Sequence, residues 1–348
     1  MRSVDRRAFL AGVIGSVAAP AVHAQNFYAP ATIRAGSSPY IAAGPTFIAR
    51  ARGYFGKVGL SARFHEFADS GFAMPMLAAG ELDVSSATSG VGLFNLMSKG
   101  ASVRLIQSRG REAPGYGSLA IMVNPALHKA GCVDLDGYRM LKGKVISAVV
   151  RGSVAEYLHR RALDRVGLTV DDVEWRFGLD SATASKLMAS NQIAAAVAPL
   201  PGAYAAVKRG AGEIIGWSDD VEPQLQLSCS AMNLRFLTEN YSTAVRFCMV
   251  MLHASNEFMA AAKSGDADVI KIVADATGLA PEVVNGTRPR WTYFEPDGMP
   301  NIVSVMAQQQ FWREKTDLLA KSSPESEVFD LRPVREAAER LKAKNPFI

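Results

Sequence analysis

The sequence has few of the residues that mark specialised chemistry. Three cysteines and five histidines occur among 348 residues, and neither type shows a metal-binding spacing. The histidines are far apart, and no His-Glu-x-x-His, Gly-x-Ser-x-Gly or Walker sequence is present. We therefore expect no metal site and no cofactor, and we predict that the chain is not an enzyme.

Charge is also sparse and nearly balanced. The 38 basic and 33 acidic residues leave a net charge of +5, part of it at the extreme N-terminus. No Lys/Arg stripe with interleaved aromatic residues is present, which argues against a nucleic-acid partner. A mild positive balance is compatible with a small anionic ligand. Hydrophobic residues make up 49% of the chain, enough for two domains with separate cores.

Long apolar runs are missing beyond the N-terminus. Arg6-Arg7-Ala8-Phe9-Leu10 precedes an apolar stretch that ends in Val22-His23-Ala24, a pattern typical of a cleaved export signal of the twin-arginine type. A membrane anchor is the alternative, but a spanning helix needs about 20 apolar residues and this run is shorter. We predict a signal over residues 1–24, cleaved near Ala24, and a soluble periplasmic protein.

The cysteines leave one question open. Cys132, Cys229 and Cys248 are odd in number. Cys229 and Cys248 could form a disulfide in an oxidising compartment, or all three could be buried free thiols, as is usual in a chain of this size.

An internal repeat organises the chain. Residues 77–90 predict a helix end, a short strand at 82–84 and a polar loop at 85–90. Three segments then have counterparts later in the chain, at a nearly constant spacing: 58–60 with 166–168, 77–84 with 187–197, and 99–102 with 209–212. The repeat predicts an α/β protein with two similar lobes, each a mostly parallel sheet flanked by helices.

Two extended segments are predicted to join the lobes, at 115–123 and 226–232, and a helical tail is predicted to return to the first lobe. Gly115, Gly117 and Ala120 match a dinucleotide-binding pattern, but a strand-like run follows where that pattern requires a helix. We predict lobe I over 30–117 and 228–348, and lobe II over 118–227.

Several motifs carry a resemblance to a known family. Residues 45–55, Val58-Gly59-Leu60, residues 77–84 and residues 134–144 resemble the periplasmic solute-binding proteins of ABC importers, in the nitrate/sulfonate/taurine branch that also includes thiamine-precursor binding proteins. The resemblance covers residues 31–217. It implies the type II periplasmic-binding-protein fold, with a ligand held between two lobes, and an ABC-transporter permease as the membrane partner. Gly80 and Asp83 are expected to support the scaffold.

The repeat also pairs loops that face each other across the cleft. Helix N-termini suit an anion there, and the first lobe carries more hydroxyl groups than the second. Arg109, Arg111 and Arg151 lie at predicted strand ends, where an arginine can clamp a carboxylate or sulfonate. Ser70 and Ser181 are also expected to cap helices. The predicted ligand-binding residues are Ser38, Tyr40, Ser70, Gly71, Ser86, Thr88, Ser89, Arg111, Tyr116, Gly152, Ser153, Ser181 and Pro199.

These observations favour a monomeric, exported receptor that delivers a small organic anion to an ABC importer, the anion being a sulfonate, a taurine-like compound or a carboxylate. One alternative is an enzyme of pyrimidine or menaquinone-type biosynthesis on the same fold, although an export signal argues against cytosolic biosynthesis. Another is a periplasmic sensor partner, which the sequence does not distinguish from a transport receptor.

Overall fold

The computed structural model describes residues 27–67 and 70–348. The predicted export signal and Asp69 lie outside the described residues. Within the described part, the helices are too short or too polar to cross a membrane.

Two five-stranded sheets form the framework, with strand orders β2-β1-β3-β10-β4 in sheet I and β7-β6-β8-β5-β9 in sheet II. The strands of sheet I are β1 Ala31–Ser37, β2 Leu60–Glu66, β3 Val84–Thr88, β4 Val103–Ser108 and β10 Ser228–Asn233. Those of sheet II are β5 Leu119–Val123, β6 Val145–Ala148, β7 Glu174–Phe177, β8 Ala195–Pro199 and β9 Glu213–Trp217. The two orders are equivalent, so the predicted repeat and the two-lobe fold are confirmed.

The fourth strand in each order runs opposite to its two neighbours. β5 is antiparallel to β8 and β9, and β10 is antiparallel to β3 and β4. The chain therefore crosses between the lobes twice, and the crossing segments pair with each other where Arg111 is opposite Gln226. The predicted crossings at 115–123 and 226–232 overlap this hinge, and the Gly115 pattern runs into a strand, not a helix.

Helices cover both sheets. In lobe I they are α1 Gly44–Ala51, α2 Tyr54–Lys57, α3 Met74–Ala79 and α4 Val91–Ser98. In lobe II they are α5 Pro125–Lys129, α6 Val154–Arg165, α7 Ser181–Ala189, α8 Gly202–Lys208 and α9 Ser218–Val221. The tail contributes α10 Leu234–Glu239, α11 Tyr241–Ser264, α12 Ala267–Thr277, α13 Pro281–Thr287, α14 Ile302–Glu314, α15 Glu325–Val328 and α16 Arg332–Ala343.

The tail returns to lobe I as predicted. The long helix α11 is buried along most of its length and packs against α1 and α16. Its neighbour α14 also reaches lobe II, because the ring of Phe311 meets that of Tyr157 on α6 at 4.9 Å. The tail therefore covers sheet I and also touches the second lobe behind the hinge.

Gly80 and Asp83 support the scaffold, as expected. Gly80 ends α3 in the left-handed conformation, with φ of 76°. The buried Asp83 carboxylate accepts a hydrogen bond from the Arg34 backbone N–H at 2.7 Å and forms an ion pair with the Arg34 guanidinium. Neither residue is free to hold a ligand.

Candidate ligand-binding site

The two lobes meet where α4 and α6 begin. The backbone N–H of Val91, the first residue of α4, donates to the carbonyl of Gly152 at 2.9 Å. A Cβ atom at Gly90 would lie 2.9 Å from that same carbonyl oxygen, so only glycine permits this approach. The first turns of two helices, one from each lobe, therefore come together at the edges of the two sheets.

Polar side chains cross sheet I beside this contact. Ser86 on β3 is directly opposite Ser230 on β10, which in turn is opposite Gln107 on β4. Directly opposed residues share one face of a sheet. Because Ala35 pairs with Val84 and Gly36 with Ser85, Ser37 continues on the same face as Ser86. We call Ser37, Ser86, Ser230 and Gln107 the polar row.

Most of the polar row has unsatisfied hydrogen-bonding groups. The Ser37 and Ser230 hydroxyls and the Gln107 carbonyl oxygen are buried and make no hydrogen bond with described protein groups. The Ser89 hydroxyl, just beyond β3, is also buried and makes no hydrogen bond with described protein groups. An unpaired buried polar group costs about 1–3 kcal/mol, so such a concentration indicates a site for polar atoms from outside the chain.

Arg109 extends this arrangement toward α1. Its Nη2 donates to the Thr46 hydroxyl in the first turn of α1 at 2.8 Å, and its Nη1 lies 3.9 Å from the Met251 sulfur. Its Nε is buried without a hydrogen-bond partner among the described groups. Burial lowers the pKa of this guanidinium to about 10. No carboxylate among the described residues forms an ion pair with it.

The matching positions of sheet II are apolar. β8 occupies in sheet II the place of β3 in sheet I, and β5 takes the place of β10. The central residue of β3 is Ser86, opposite Ser230, whereas the central residue of β8 is Val197, opposite Ile121. The lobe I position is therefore polar, whereas the equivalent position of lobe II belongs to the buried apolar core.

Comparison with known proteins places the chain in a family. The model of the NMT1-like family matches residues 28–274, most of the chain. The chain belongs to the NMT1-like family. A search of the curated proteins returned no match.

Solved structures share its fold. The alkanesulfonate-binding protein SsuA from Xanthomonas axonopodis pv. citri, bound to MOPS, matches with a TM-score of 0.68 and 20% identity over 86% of this chain and 99% of that one. The periplasmic nitrate-binding protein NrtA from Synechocystis PCC 6803 matches with a TM-score of 0.74 and 14% identity, over 92% of this chain and 91% of that one. A cysteine-to-serine mutant of DSZB in complex with biphenyl-2-sulfinic acid matches with a TM-score of 0.61 and 12% identity, over 89% of this chain and 99% of that one.

In this NMT1-like protein, β3 is longer than the sequence indicates. The strand was expected at residues 82–84 with a polar loop after it, but it runs from Val84 to Thr88. Ser86 and Thr88 therefore belong to the strand, whose β10 partner comes from the distant residues 228–233. Ser86, Thr88 and Ser89 nevertheless lie together at the cleft edge of sheet I.

Four further predicted residues surround the polar row in lobe I. Ser38 is buried directly after β1, and the half-exposed Tyr40 precedes the short 3-10 helix that leads into α1. The Ser70 hydroxyl lies 3.1 Å from that of Thr88. Gly71 follows Ser70 in a second 3-10 helix. Ser70 does not cap α3, since Ala73 occupies the N-cap position without a side-chain bond.

The lobe II residues differ in position. Gly152 reaches the interlobe contact, and Ser153 caps α6 by accepting from the Glu156 N–H at 3.3 Å. Ser181 was expected to cap α7, but Asp180 does so, accepting from the Thr183 N–H at 2.7 Å. Ser181 instead lines a small cavity inside lobe II. Pro199 ends β8.

Arg111 and Tyr116 lie at the hinge. The Arg111 guanidinium pairs with the Glu295 carboxylate, donates to Gln224 Oε1 at 2.9 Å and stacks 4.8 Å from the Tyr293 ring centre. Tyr116 packs against the same ring at 5.4 Å. Because Glu295 already neutralises Arg111, the better candidate for an anion is Arg109, two positions earlier. Strand alternation could have indicated this, because Arg109 directly follows β4 and its N–H continues the pairing with β10, which puts Arg109 on the same face as Gln107.

Burial distinguishes the cysteines from reactive thiols. All three are free and buried in the structure, so no disulfide joins Cys229 and Cys248. Burial raises the pKa of Cys132 to about 11, and it raises the pKa of the other two further. A thiol that stays protonated at neutral pH is a poor nucleophile.

Proposed function

We propose that this NMT1-like protein is an exported receptor that binds a small organic anion between its lobes and delivers it to the permease of an ABC importer. The observation that carries the proposal is the cluster of buried polar groups in lobe I, the Arg109 Nε among them, that make no hydrogen bond with the described chain. A small organic anion, with an oxyanion head and a carbon body, supplies the hydrogen-bond acceptors and the counter-charge that this cluster lacks. The alkanesulfonate-binding SsuA and the nitrate-binding NrtA share the fold and both take anions, which supports an anionic ligand.

The expected ligands follow from this pairing. Sulfonates, taurine-like compounds and organic carboxylates combine an oxyanion with a carbon body. We propose that lobe I binds the head through the polar row, Ser89 and Arg109, and that Gly152 and Ser153 close over it from lobe II. Ser38, Tyr40, Ser70, Gly71, Thr88, Ser181, Pro199, Arg111 and Tyr116 remain predicted contacts.

Location and assembly complete the proposal. We propose that residues 1–24 are removed on export to the periplasm, that the mature protein is a soluble monomer, and that the lobe boundaries lie at the two crossings, near 117/118 and 227/228. N-terminal sequencing of protein recovered from the periplasm tests the cleavage near Ala24. An intact N-terminus in the recovered protein would contradict it.

Binding measurements test the receptor function. Isothermal titration calorimetry against benzenesulfonate, taurine, benzoate and nitrate should give saturable binding for at least one compound. Intrinsic tryptophan fluorescence provides a second signal, because Trp217 lies at the end of β9 near the hinge. Folded protein that binds none of these anions would contradict the proposal.

A second candidate function is catalysis, which the fold match to DSZB brings into consideration. The test is turnover: each compound that binds is incubated with purified protein and followed by mass spectrometry. Recovery of the unchanged compound supports a receptor. Conversion that depends on protein concentration would favour an enzyme.

A further inference from the structure

The tail helix α14 of lobe I makes a second set of contacts with lobe II. The ring of Tyr157 on α6 meets that of Phe311 edge to face at 4.9 Å and lies 6.2 Å from that of Trp312. Tyr157 and Trp312 are both buried, so this contact is largely removed from water. Shortly after α14 ends, the exposed Asp317 carboxylate pairs with the Arg151 guanidinium of lobe II at 3.4 Å.

These contacts belong to the closed arrangement of the lobes. Arg151 directly precedes Gly152, whose carbonyl meets α4 across the cleft. We call residues 311–317 the latch segment. Its end is fixed to α4 as well, because the Asn95 side chain of that helix donates to the Leu318 carbonyl at 2.9 Å. A hinge opening that separates α4 from α6 therefore also separates the latch segment from lobe II.

A buried ion pair connects the latch segment with the loop that precedes α6. The Glu156 carboxylate, completely buried in the first turn of α6, accepts from the Gly152 N–H at 2.6 Å and pairs with the Arg160 guanidinium at 2.7 Å. That guanidinium lies 5.7 Å from the ring centre of Trp175 in lobe II and 5.8 Å from that of Trp312 in the tail. A cation is attracted to such rings, most strongly where water is excluded. The tail therefore contacts the ion pair that fixes the Gly152 backbone.

We propose that the latch segment holds the lobes together in the closed state and thereby raises ligand affinity without touching the ligand. Phe311 and Trp312 make the contact on the tail. Arg160 and Glu156 are positioning residues for the loop of lobe II. The inference rests on the proposed receptor function and deepens it. The apparent affinity of a receptor that closes depends on the free energy of closure as well as on the ligand contacts, so the latch tightens binding of every ligand by the same factor.

The main test is the variant Phe311→Ala. Phe311 is only partly buried, so the fold should tolerate the loss of its ring. We expect the dissociation constant of each compound in the anion panel that binds to increase about 3- to 10-fold in calorimetry, the range for an aromatic pair. Stopped-flow fluorescence should show a faster dissociation and a nearly unchanged association rate, because the latch forms after the ligand has entered.

The matched control is Phe236→Ala. Phe236 is also a partly buried phenylalanine of the tail, but it lies on α10, which follows the end of β10 remote from the hinge. Its loss should lower the melting temperature about as much as Phe311→Ala does, while affinity and dissociation rate stay at the wild-type values. A general loss of stability is thereby separated from the loss of the latch.

The positioning pair is tested with two arginine variants. Arg160→Gln should weaken affinity in the same direction as Phe311→Ala, and Arg160→Lys, which keeps a positive charge beside Glu156, should restore part of it. If Phe311→Ala folds poorly, Arg160→Gln takes its place in every comparison.

The outcome for the latch can be separated from that for the receptor function. If a panel compound binds, wild-type affinity in Phe311→Ala would overturn the latch and leave the receptor function standing. If no compound binds, the receptor function fails, and small-angle X-ray scattering of ligand-free protein decides the latch alone. A larger radius of gyration for Phe311→Ala than for wild-type and Phe236→Ala protein would then support the latch, and an equal one would overturn it.

Discussion

At the residue scale, Glu112 is the most unusual side chain of the hinge. It is completely buried next to Arg111, and its carboxylate accepts from the Ser118 N–H at 3.0 Å and from the Ser118 hydroxyl at 3.0 Å. Burial raises its pKa to about 8, and the nearby Asp219 carboxylate adds to the rise. The hinge therefore contains a carboxyl group that holds its proton through neutral pH.

Glu112 should make the folded protein less stable as pH increases. Its pKa is higher in the folded state, about 8, than the ordinary 4.5, so the folded state binds the proton more tightly. The stabilisation is fully present below pH 4.5 and is lost as pH rises toward 8. We expect Glu112→Gln, which mimics the protonated form, to flatten this decline, measured as the urea midpoint from about pH 5 to about pH 8.5.

The matched control is Glu325→Gln, because Glu325 is exposed on α15. This variant should keep the wild-type pH profile. If wild-type and Glu112→Gln proteins lose stability in parallel over the same range, Glu112 does not titrate in the way proposed here.

Individual residues were predictable where local sequence sets their role. Gly80 ends a helix, as its immediate neighbours indicated, whereas Asp83 supports the scaffold through the distant Arg34 on β1. The choice between Arg109 and Arg111 depended on Glu295, which lies far along the chain and neutralises Arg111. Ser230 was likewise missed as a candidate, because its partners Ser86 and Gln107 come from distant strands.

At the element scale, the contact between α4 and α6 depends on glycine. A Cβ at Gly90 would collide with the Gly152 carbonyl, whereas a Cβ at Gly92, two residues later on α4, would meet nothing within 4 Å. We therefore expect Gly90→Ala to prevent full approach of the lobes and to weaken ligand affinity by about 10-fold or more. Gly92→Ala should leave affinity unchanged.

Isothermal titration calorimetry tests both glycine variants, using the compound of the anion panel that binds the wild-type protein most tightly. The melting temperature of ligand-free Gly90→Ala should stay near that of the wild type, since Gly90 lies at the lobe surface contact and not in a core. Equal affinity in Gly90→Ala and Gly92→Ala would show that the α4–α6 contact is not part of the bound state.

Strands and helices were predictable to different degrees for a physical reason. The helical tail was predicted correctly, and α11 and α16 both form within it. Both carry local hydrophobic patterns. β3 was predicted too short because its serines look like a loop, and only pairing with β1 and β10 on either side makes them a strand.

At the scale of the whole molecule, the hinge and the tail form one hydrogen-bonded unit. The buried Gln226 side chain donates to the Ser108 hydroxyl at 3.0 Å and to the Gly110 carbonyl at 3.0 Å, and it accepts from the Asn301 N–H at 2.7 Å. The tail helix α14, which begins at Ile302, thereby joins both crossing segments. The two-lobe plan was predictable from the repeat, but this connection was not, because Gln226 and Asn301 lie outside the repeat.

Interlobe contact implies a change in overall shape on binding. The described conformation joins Val91 to Gly152 across the cleft, so it corresponds to closed lobes. We expect small-angle X-ray scattering to give a larger radius of gyration for ligand-free protein than for protein saturated with its ligand. The Gly90→Ala protein should remain near the ligand-free value. Identical scattering with and without a bound compound would argue against closure.

The insertion of β10 between β3 and β4 also sets the order in which the two sheets can be completed. Every strand of sheet II lies within one continuous stretch, from Leu119 to Trp217. Sheet I has no strand between β3 and β4 until residues 228–233, within the described part of the chain, are added. During synthesis, sheet II can therefore be completed first, and the polar row of sheet I is complete only after Ser230 has joined its neighbours. A nascent chain that stops before this point has the strands of sheet II without the polar row of sheet I.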